Sequence, residues 1–316
     1  MKKIGIVGAG IIGKSHREAI DGNDQCCLVA VCDVVREKAE ELAVGTDAKV
    51  YTDYKEMAAE VEMDAVILNL PHFLHKEVTV YFLERKIPVL VEKPMALNVA
   101  ECDEMIAAAK KNDTLLAVGH VYRYEGFYRK VKEIVEQGTL GDLCMVTECR
   151  NTNYFAPSRP RWFLDKEKAG GGIVMNFGAH SIDKLLYTTG ATAVEIKANG
   201  SNMLNDASIE AAAQVLLKLS NGASVALTYS GCEVPYFNEV VFYFTNGCVK
   251  QANGLWIAKN GGNFEKLEAP YEKTKLGAQL EEFIKYLDGE ESEIVTPEYG
   301  REVIRVIEEV VRQIGE

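Results

Sequence analysis

Short apolar runs alternate with helical patterns through residues 1–120. Strands are predicted at Lys3–Val7, Leu28–Cys32, Ala65–Asn69, Val89–Glu92 and Leu115–Val118. Between them lie SHREAI, REKAEELA, HKEVTVYFLERK and VAECDEMIAAAKK, with apolar residues at helical spacing. The strands are rich in Val, Ile and Leu without clean polar alternation, the mark of strands covered on both faces. Strand–helix alternation with short connections predicts a parallel, doubly wound sheet. Asn98 followed by Glu101 is a capping pair for the helix behind it.

The rhythm changes after Gly119. Phe127–Gln137 reads as one helix stopped by Gly138, and β-rich runs follow, separated by Asn-Gly pairs at 221–222 and 246–247. Asn-Gly between apolar runs is a strong hairpin signal. The second part is therefore an α+β domain with a large open, mostly antiparallel sheet, giving an α/β chain with domains at 1–121 and 122–316. The closing REVIRVIEEVVRQI puts Val303, Ile307, Val310 and Ile314 on one helical face.

Composition narrows the function. The chain has 316 residues, 47% hydrophobic and 26% charged, with a net charge of −12. An acidic surface repels polyanions and anionic membranes, so a nucleic-acid or membrane partner is not expected. No apolar run is long enough to span a bilayer. The opening MKKIGIVGAGIIG mimics an export signal, but its glycines and the helix behind it make it a first strand. Eight cysteines show no CxxC pair or zinc spacing. They read as free thiols of a reducing cytoplasm.

Gly8-Ala9-Gly10-Ile11-Ile12-Gly13 forms G-x-G-x-x-G directly after a strand and directly before a helix, and the next strand ends at Asp33. In that setting the glycines allow a tight turn and close approach to a pyrophosphate at the positive end of the helix. Asp33 would accept hydrogen bonds from ribose hydroxyls and repel a 2′-phosphate, favouring NAD over NADP; nearby Arg36 would soften that preference. Flavin and S-adenosylmethionine sites also use glycine loops.

Two further stretches carry chemistry. In IPVLVEKPMAL, Lys93 falls at the carboxyl end of a strand, where open α/β sheets bind ligands; pairing with Glu92 is the alternative. In KAGGGIVMNFGAHSIDKLLYTTG, Asn176 and His180 stand four apart on one helical face, with Asp183 just beyond. A histidine there is either a base or a hydrogen-bonded structural group. His16, His72 and His120 read as structural, and no His, Cys and carboxylate cluster points to a metal.

Together GAGIIGKSH, Asp33, NLPHFLH, VEKP, VGHVYRY and GGGIVMNFGAHSID resemble the Gfo/Idh/MocA oxidoreductase family over almost the whole chain. The resemblance implies a Rossmann domain followed by an open-sheet domain, with the active site between them. It implies hydride transfer between a nicotinamide cofactor and a secondary alcohol or ketone of a sugar or cyclitol. Lys93 matches the lysine that contacts substrate and nicotinamide ribose, and His180 the histidine that exchanges the hydroxyl proton. Asn69, Leu70, Pro71, His75 and Glu92 match positions along the cofactor edge, and Tyr122, Arg123, Tyr154, Arg161 and Trp162 fall in cleft-lining segments. Asn176 departs from the aspartate of many relatives; an amide can orient a hydroxyl but not take its proton. The outer face of the sheet would join chains as a homo-dimer or homo-tetramer. Two other readings stay open: an NAD-assisted glycoside-cleaving enzyme and a non-catalytic dinucleotide-binding regulator.

Overall fold

A computed structural model describes residues 1–202, 208–269 and 273–315. The elements in the first part are β1 (Lys2–Val7), α1 (Ile11–Asp21), β2 (Cys26–Cys32), α2 (Arg36–Ala43), β3 (Lys49–Tyr51), α3 (Tyr54–Glu60), β4 (Ala65–Leu68), α4 (His72–Leu83), β5 (Val89–Glu92), α5 (Val99–Asn112) and β6 (Leu116–Gly119). Then come α6 (Gly126–Gln137), β7 (Leu143–Asn151), α7 (Lys166–Ala169) and α8 (Ala179–Thr189). A run of strands follows: β8 (Ala193–Ser201), β9 (Ala212–Leu219), β10 (Ser224–Ser230), β11 (Phe237–Phe244), β12 (Gly247–Gln251), β13 (Leu255–Lys259) and β14 (Glu265–Lys266). Two helices close the chain, α9 (Lys275–Leu287) and α10 (Pro297–Gly315).

Contacts divide the chain into two compact units, Met1–Val121 with Lys273–Ile304, and Tyr122–Glu272 with Arg305–Glu316. The first unit takes in a return from late in the chain: α9 packs on α1 through Leu280, Phe283 and Ile284, which share a core with Ile4, Ile6, Ile20 and Leu28. Sequence alone does not reveal that return, because an amphipathic helix does not say which apolar surface it covers.

The first unit holds a parallel sheet in the order β3-β2-β1-β4-β5-β6. Its central strands are buried on both faces, as their unbroken apolar runs require: Ala65, Val66, Ile67 and Leu68 are all fully buried. The short strand β3, KVY, escaped prediction because three residues carry no readable period. The order reverses between β1 and β4, so a crevice opens beyond their carboxyl ends. The α5 helix starts as its sequence signals, with the Asn98 side chain accepting the Glu101 N–H at 2.9 Å and Glu101 accepting the Leu97 N–H at 3.0 Å.

The second unit holds an eight-stranded sheet, β14-β13-β12-β11-β7-β10-β9-β8, antiparallel except where β7 meets β10. Both Asn-Gly pairs lie at hairpin turns, between β9 and β10 and between β11 and β12. One face is apolar through Val146, Val215, Leu217, Val225, Leu227 and Phe242. The other face carries Met145 and Leu216 in the open. On α10, Val303, Ile307 and Val310 are buried, and Ile314 is partly so.

Replacing Asn98 by Ala should remove the α5 cap and cost about 1 kcal/mol in urea unfolding. An unchanged midpoint would show that this hydrogen bond contributes nothing to the first unit.

Candidate active site

The first turn of the Rossmann unit is shaped by its glycines. Gly8 has φ +97°, and a Cβ there would lie 2.2 Å from the Asn69 carbonyl oxygen; one on Gly13 would lie 2.3 Å from the Gly8 oxygen. Both are required by contacts within the chain. Gly10 is different: a Cβ on it meets no atom within 4 Å and its φ of −77° suits any residue. Its side-chain-less surface at the α1 N-terminus is what close approach of a pyrophosphate demands.

The surroundings fit the rest of a dinucleotide. Asp33, at the end of β2, accepts the Ala9 N–H at 2.8 Å and the Val35 N–H at 2.9 Å. An ionised carboxylate has about four lone-pair sites, so room is left for ribose hydroxyls. Arg36 is turned to Glu40 at 2.9 Å. Ile11 and Val34 are 85% and 88% exposed, with Ile12 and Val35 also open. At the end of β4, neither the nitrogen nor the oxygen of the half-buried Asn69 amide finds a hydrogen-bond partner among the described residues. A buried amide left that way is costly unless a ligand completes it.

Leu70 and Pro71 lead into α4 half-buried, and His75 behind them is fully buried. Its Nδ1 lies 2.8 Å from the Pro94 carbonyl and its Nε2 2.8 Å from the Leu70 carbonyl. Burial lowers its pKa, against the pull of those two carbonyls. His75 acts on the crevice edge through the two loops it braces. Half-buried Lys93 follows Glu92 at the end of β5 and donates its backbone N–H to that carboxylate. Glu92 also meets the Nε2 of buried His16 at 2.9 Å. Burial alone would raise its pKa, but His16 and Lys93 hold the carboxyl below the usual range. His16 is therefore structural in the sense of anchoring the loop that carries Lys93.

In the second unit the segment after the three glycines starts as a π-helical turn, Val174–Gly178, and becomes α-helical at Ala179. The four-residue spacing of Asn176 and His180 thus crosses a change of helix type, a feature common at functional sites. The start of this segment is held by a residue not foreseen from sequence. Buried Glu210 accepts the Gly172 N–H with both oxygens at 2.8 Å and the Val174 N–H at 2.9 Å. A Cβ on Gly172 would lie 2.2 Å from the Glu210 carbonyl oxygen. Desolvation raises the Glu210 pKa despite these N–H donors.

Tyr154 is fully buried, its hydroxyl donating to the Gly172 carbonyl at 3.2 Å and bonded to the Asn176 side chain. It holds Asn176 in place from behind. The His180 ring is half-buried and packs edge-on against Tyr122 at 5.0 Å between centroids. Lys184, one turn further on, lies 5.2 Å from the Tyr122 ring and 5.3 Å from that of Tyr128. It pairs with Glu148 on β7 at 2.6 Å, both side chains 2% exposed. Arg123 is buried with a nitrogen 3.9 Å from Asp183 and its guanidinium 5.2 Å from the Tyr187 ring centre. Arg161 is exposed on a short 3-10 turn, and Trp162 beside it stacks on Phe163 at 3.7 Å. Of the expected catalytic and substrate residues, then, His180 meets Tyr122 and Asn176 meets Tyr154, while Arg123 is engaged with Asp183. Among the described residues no cluster of His, Cys, Asp and Glu could hold a metal.

The glycine turn, the acid after β2 and the strand reversal have the form of a dinucleotide-binding unit. Comparison with known proteins agrees. Residues 2–120 match the oxidoreductase family with an NAD-binding Rossmann fold, and residues 128–250 match the GFO/IDH/MocA C-terminal domain. The myo-inositol 2-dehydrogenase of Thermotoga maritima is 32% identical over 229 residues, 70% of this chain and 66% of that protein, just under two thirds of its length. Among solved structures, the aldose–aldose oxidoreductase from Caulobacter crescentus superposes with a TM-score of 0.90 at 25% identity, covering 99% of this chain and 97% of that one. GenD2 from gentamicin A biosynthesis, in complex with NAD, superposes with a TM-score of 0.86 at 21% identity, covering 100% and 94%. The chain belongs to the Gfo/Idh/MocA oxidoreductase family.

Lys184→Met should destabilise the protein by about 3–5 kcal/mol, because it strands the Glu148 carboxylate in the core. The double variant Lys184→Met with Glu148→Leu should recover most of that loss in urea unfolding. Equal losses in the single and double variants would mean that the pair is not what the core depends on.

Proposed function

We propose that the protein is an NAD-dependent dehydrogenase acting on a secondary alcohol of a sugar or cyclitol. The observation that carries the reading is the open surface over Gly10, together with an Asn69 amide that has no hydrogen-bond partner among the described residues, in a chain of this family. Gly8, Gly10, Gly13 and the Ile11 and Ile12 backbone would cradle the pyrophosphate, and Asp33 would hold the adenosine ribose. A carboxylate at that position repels a 2′-phosphate, and Arg36 is drawn off to Glu40, so NAD is preferred to NADP. Asn69, Leu70 and Pro71 would line the edge, with His75 and Glu92 bracing it.

Held by these residues, NAD would supply the acceptor for a hydride from the carbinol carbon. His180 takes the hydroxyl proton as the carbonyl forms; a neutral imidazole, with a reference pKa near ~6.5, suits that task at neutral pH. The Lys93 ammonium holds the reacting oxygen and stabilises its developing charge. Asn176, fixed by Tyr154, orients the same hydroxyl without accepting its proton. Tyr122, Arg161 and Trp162 supply polar and flat apolar surface for the ring. The described residues hold no helix long and apolar enough to cross a membrane, and the eight free thiols favour a reducing compartment. The outer sheet face with Met145 and Leu216 would join copies of the chain. The name of the Thermotoga relative, a myo-inositol 2-dehydrogenase, puts inositols in the first panel to be tried, beside aldoses and uronates.

With NAD and that panel, the wild type should form NADH, read by its absorbance. His180→Ala should lower kcat at least about a hundredfold, the scale of acid–base assistance, with NAD affinity barely changed. Wild-type turnover by the variant would remove His180 from the mechanism.

A further inference from the structure

Arg150, on the helix-facing side of β7, is only 7% exposed. Its guanidinium lies over the Phe177 ring at 4.1 Å. Among the described residues its Nε and Nη1 have no hydrogen-bond partner, and no carboxylate approaches within 4.0 Å. The nearest candidate in sequence, Glu148, faces the same side but is taken by Lys184 at 2.6 Å. The other cations of the region are engaged. Arg123 meets Asp183 at 3.9 Å, and Arg159 lies 4.0 Å over the Tyr154 ring while donating to the Tyr154 carbonyl. A buried cation with unmet donors is expensive to keep unless something pairs with it.

Its position says what that partner is. Phe177 lies one turn before His180 on the same segment, and Tyr122, against which His180 packs, feels the charges of both Lys184 and Arg150. Arg150 therefore stands against the segment that carries the proposed base. We propose that the substrate carries a carboxylate, received by the Arg150 guanidinium, so that the enzyme acts on sugar acids in preference to neutral sugars. The assignment rests on the dehydrogenase reading only for the chemistry that follows binding. A carboxylate matches one positive charge, and the planar fork of arginine suits its geometry. A phosphate monoester, near −2 at neutral pH, would keep half its charge uncompensated.

The test is calorimetric titration of the NAD-saturated protein with glucuronate and galacturonate against glucose and galactose, with glucose 6-phosphate as a further arm. In the wild type at least one acid should bind at least tenfold tighter than its neutral counterpart. Arg150→Met should bring that ratio to near one, and Arg150→Lys should keep part of it. The thermal midpoint of Arg150→Met should not fall, because the lost charge has no partner to strand; should that variant fail to fold, Arg150→Gln gives the same ratio readout. No preference for acids in the wild type, or a preference that survives loss of the guanidinium, overturns the proposal, as does tighter binding of the phosphate than of either acid. NADH formation is followed in parallel. Arg150-dependent binding without turnover would leave this assignment standing and defeat the dehydrogenase reading, whereas turnover of neutral sugars alone would do the reverse.

Discussion

The backbone contact between the first turn and the end of β4 is the constraint on which the Rossmann unit's chemistry depends. Gly8 lies so close to the Asn69 carbonyl, and Gly13 to Gly8, that no side chain fits at either point. This packing sets the α1 N-terminus at the mouth of the crevice made by the strand reversal between β1 and β4. Asp33 then fastens the turn through the Ala9 N–H, so the residue proposed to read the ribose also fixes the loop proposed to hold the phosphates. With its two neighbours fixed by internal contacts, Gly10 is the glycine of the motif whose bareness answers to nothing inside the chain.

The second unit is organised by buried carboxylates. Glu210 gathers the N–H groups of Gly172 and Val174 and so starts the helix that carries Asn176 and His180. Glu148 fixes Lys184, whose ammonium sits by Tyr122 and Tyr128, and Tyr122 in turn supports the imidazole. Side chains that touch no substrate thus hold those that would. Pre-set geometry of this kind is what acid–base chemistry requires, since small displacements of a reacting group cost large factors in rate.

Much of this was legible in the sequence. The strand–helix alternation, the Asn98 cap, the Asn-Gly hairpins and the glycine motif with Asp33 each rest on local rules, and each appears where those rules put it. What stayed hidden depends on long-range contact. Glu210 is far in sequence from the glycines it binds, and nothing in the isolated residue distinguishes it from a solvated acid. With Glu148 taken by Lys184, Arg150 has no carboxylate within 4.0 Å among the described residues, which no spacing could show. Likewise, no spacing shows that both ring nitrogens of His75 are directed to backbone carbonyls. The π-helical turn follows the glycine run held by Glu210, and a pattern based on α-helical period missed it.

The most direct test of the central claim is NAD titration of the wild type and a Gly10→Asp variant, followed by calorimetry alongside thermal unfolding. Aspartate is a good helix N-cap and the position is open, so the fold should keep or gain stability, while its carboxylate would occupy and repel the pyrophosphate. The account predicts NAD binding by the wild type, at least tenfold weaker in the variant, with no fall in the melting temperature. Equal NAD affinity in the two proteins, or no NAD binding by the wild type, would contradict it.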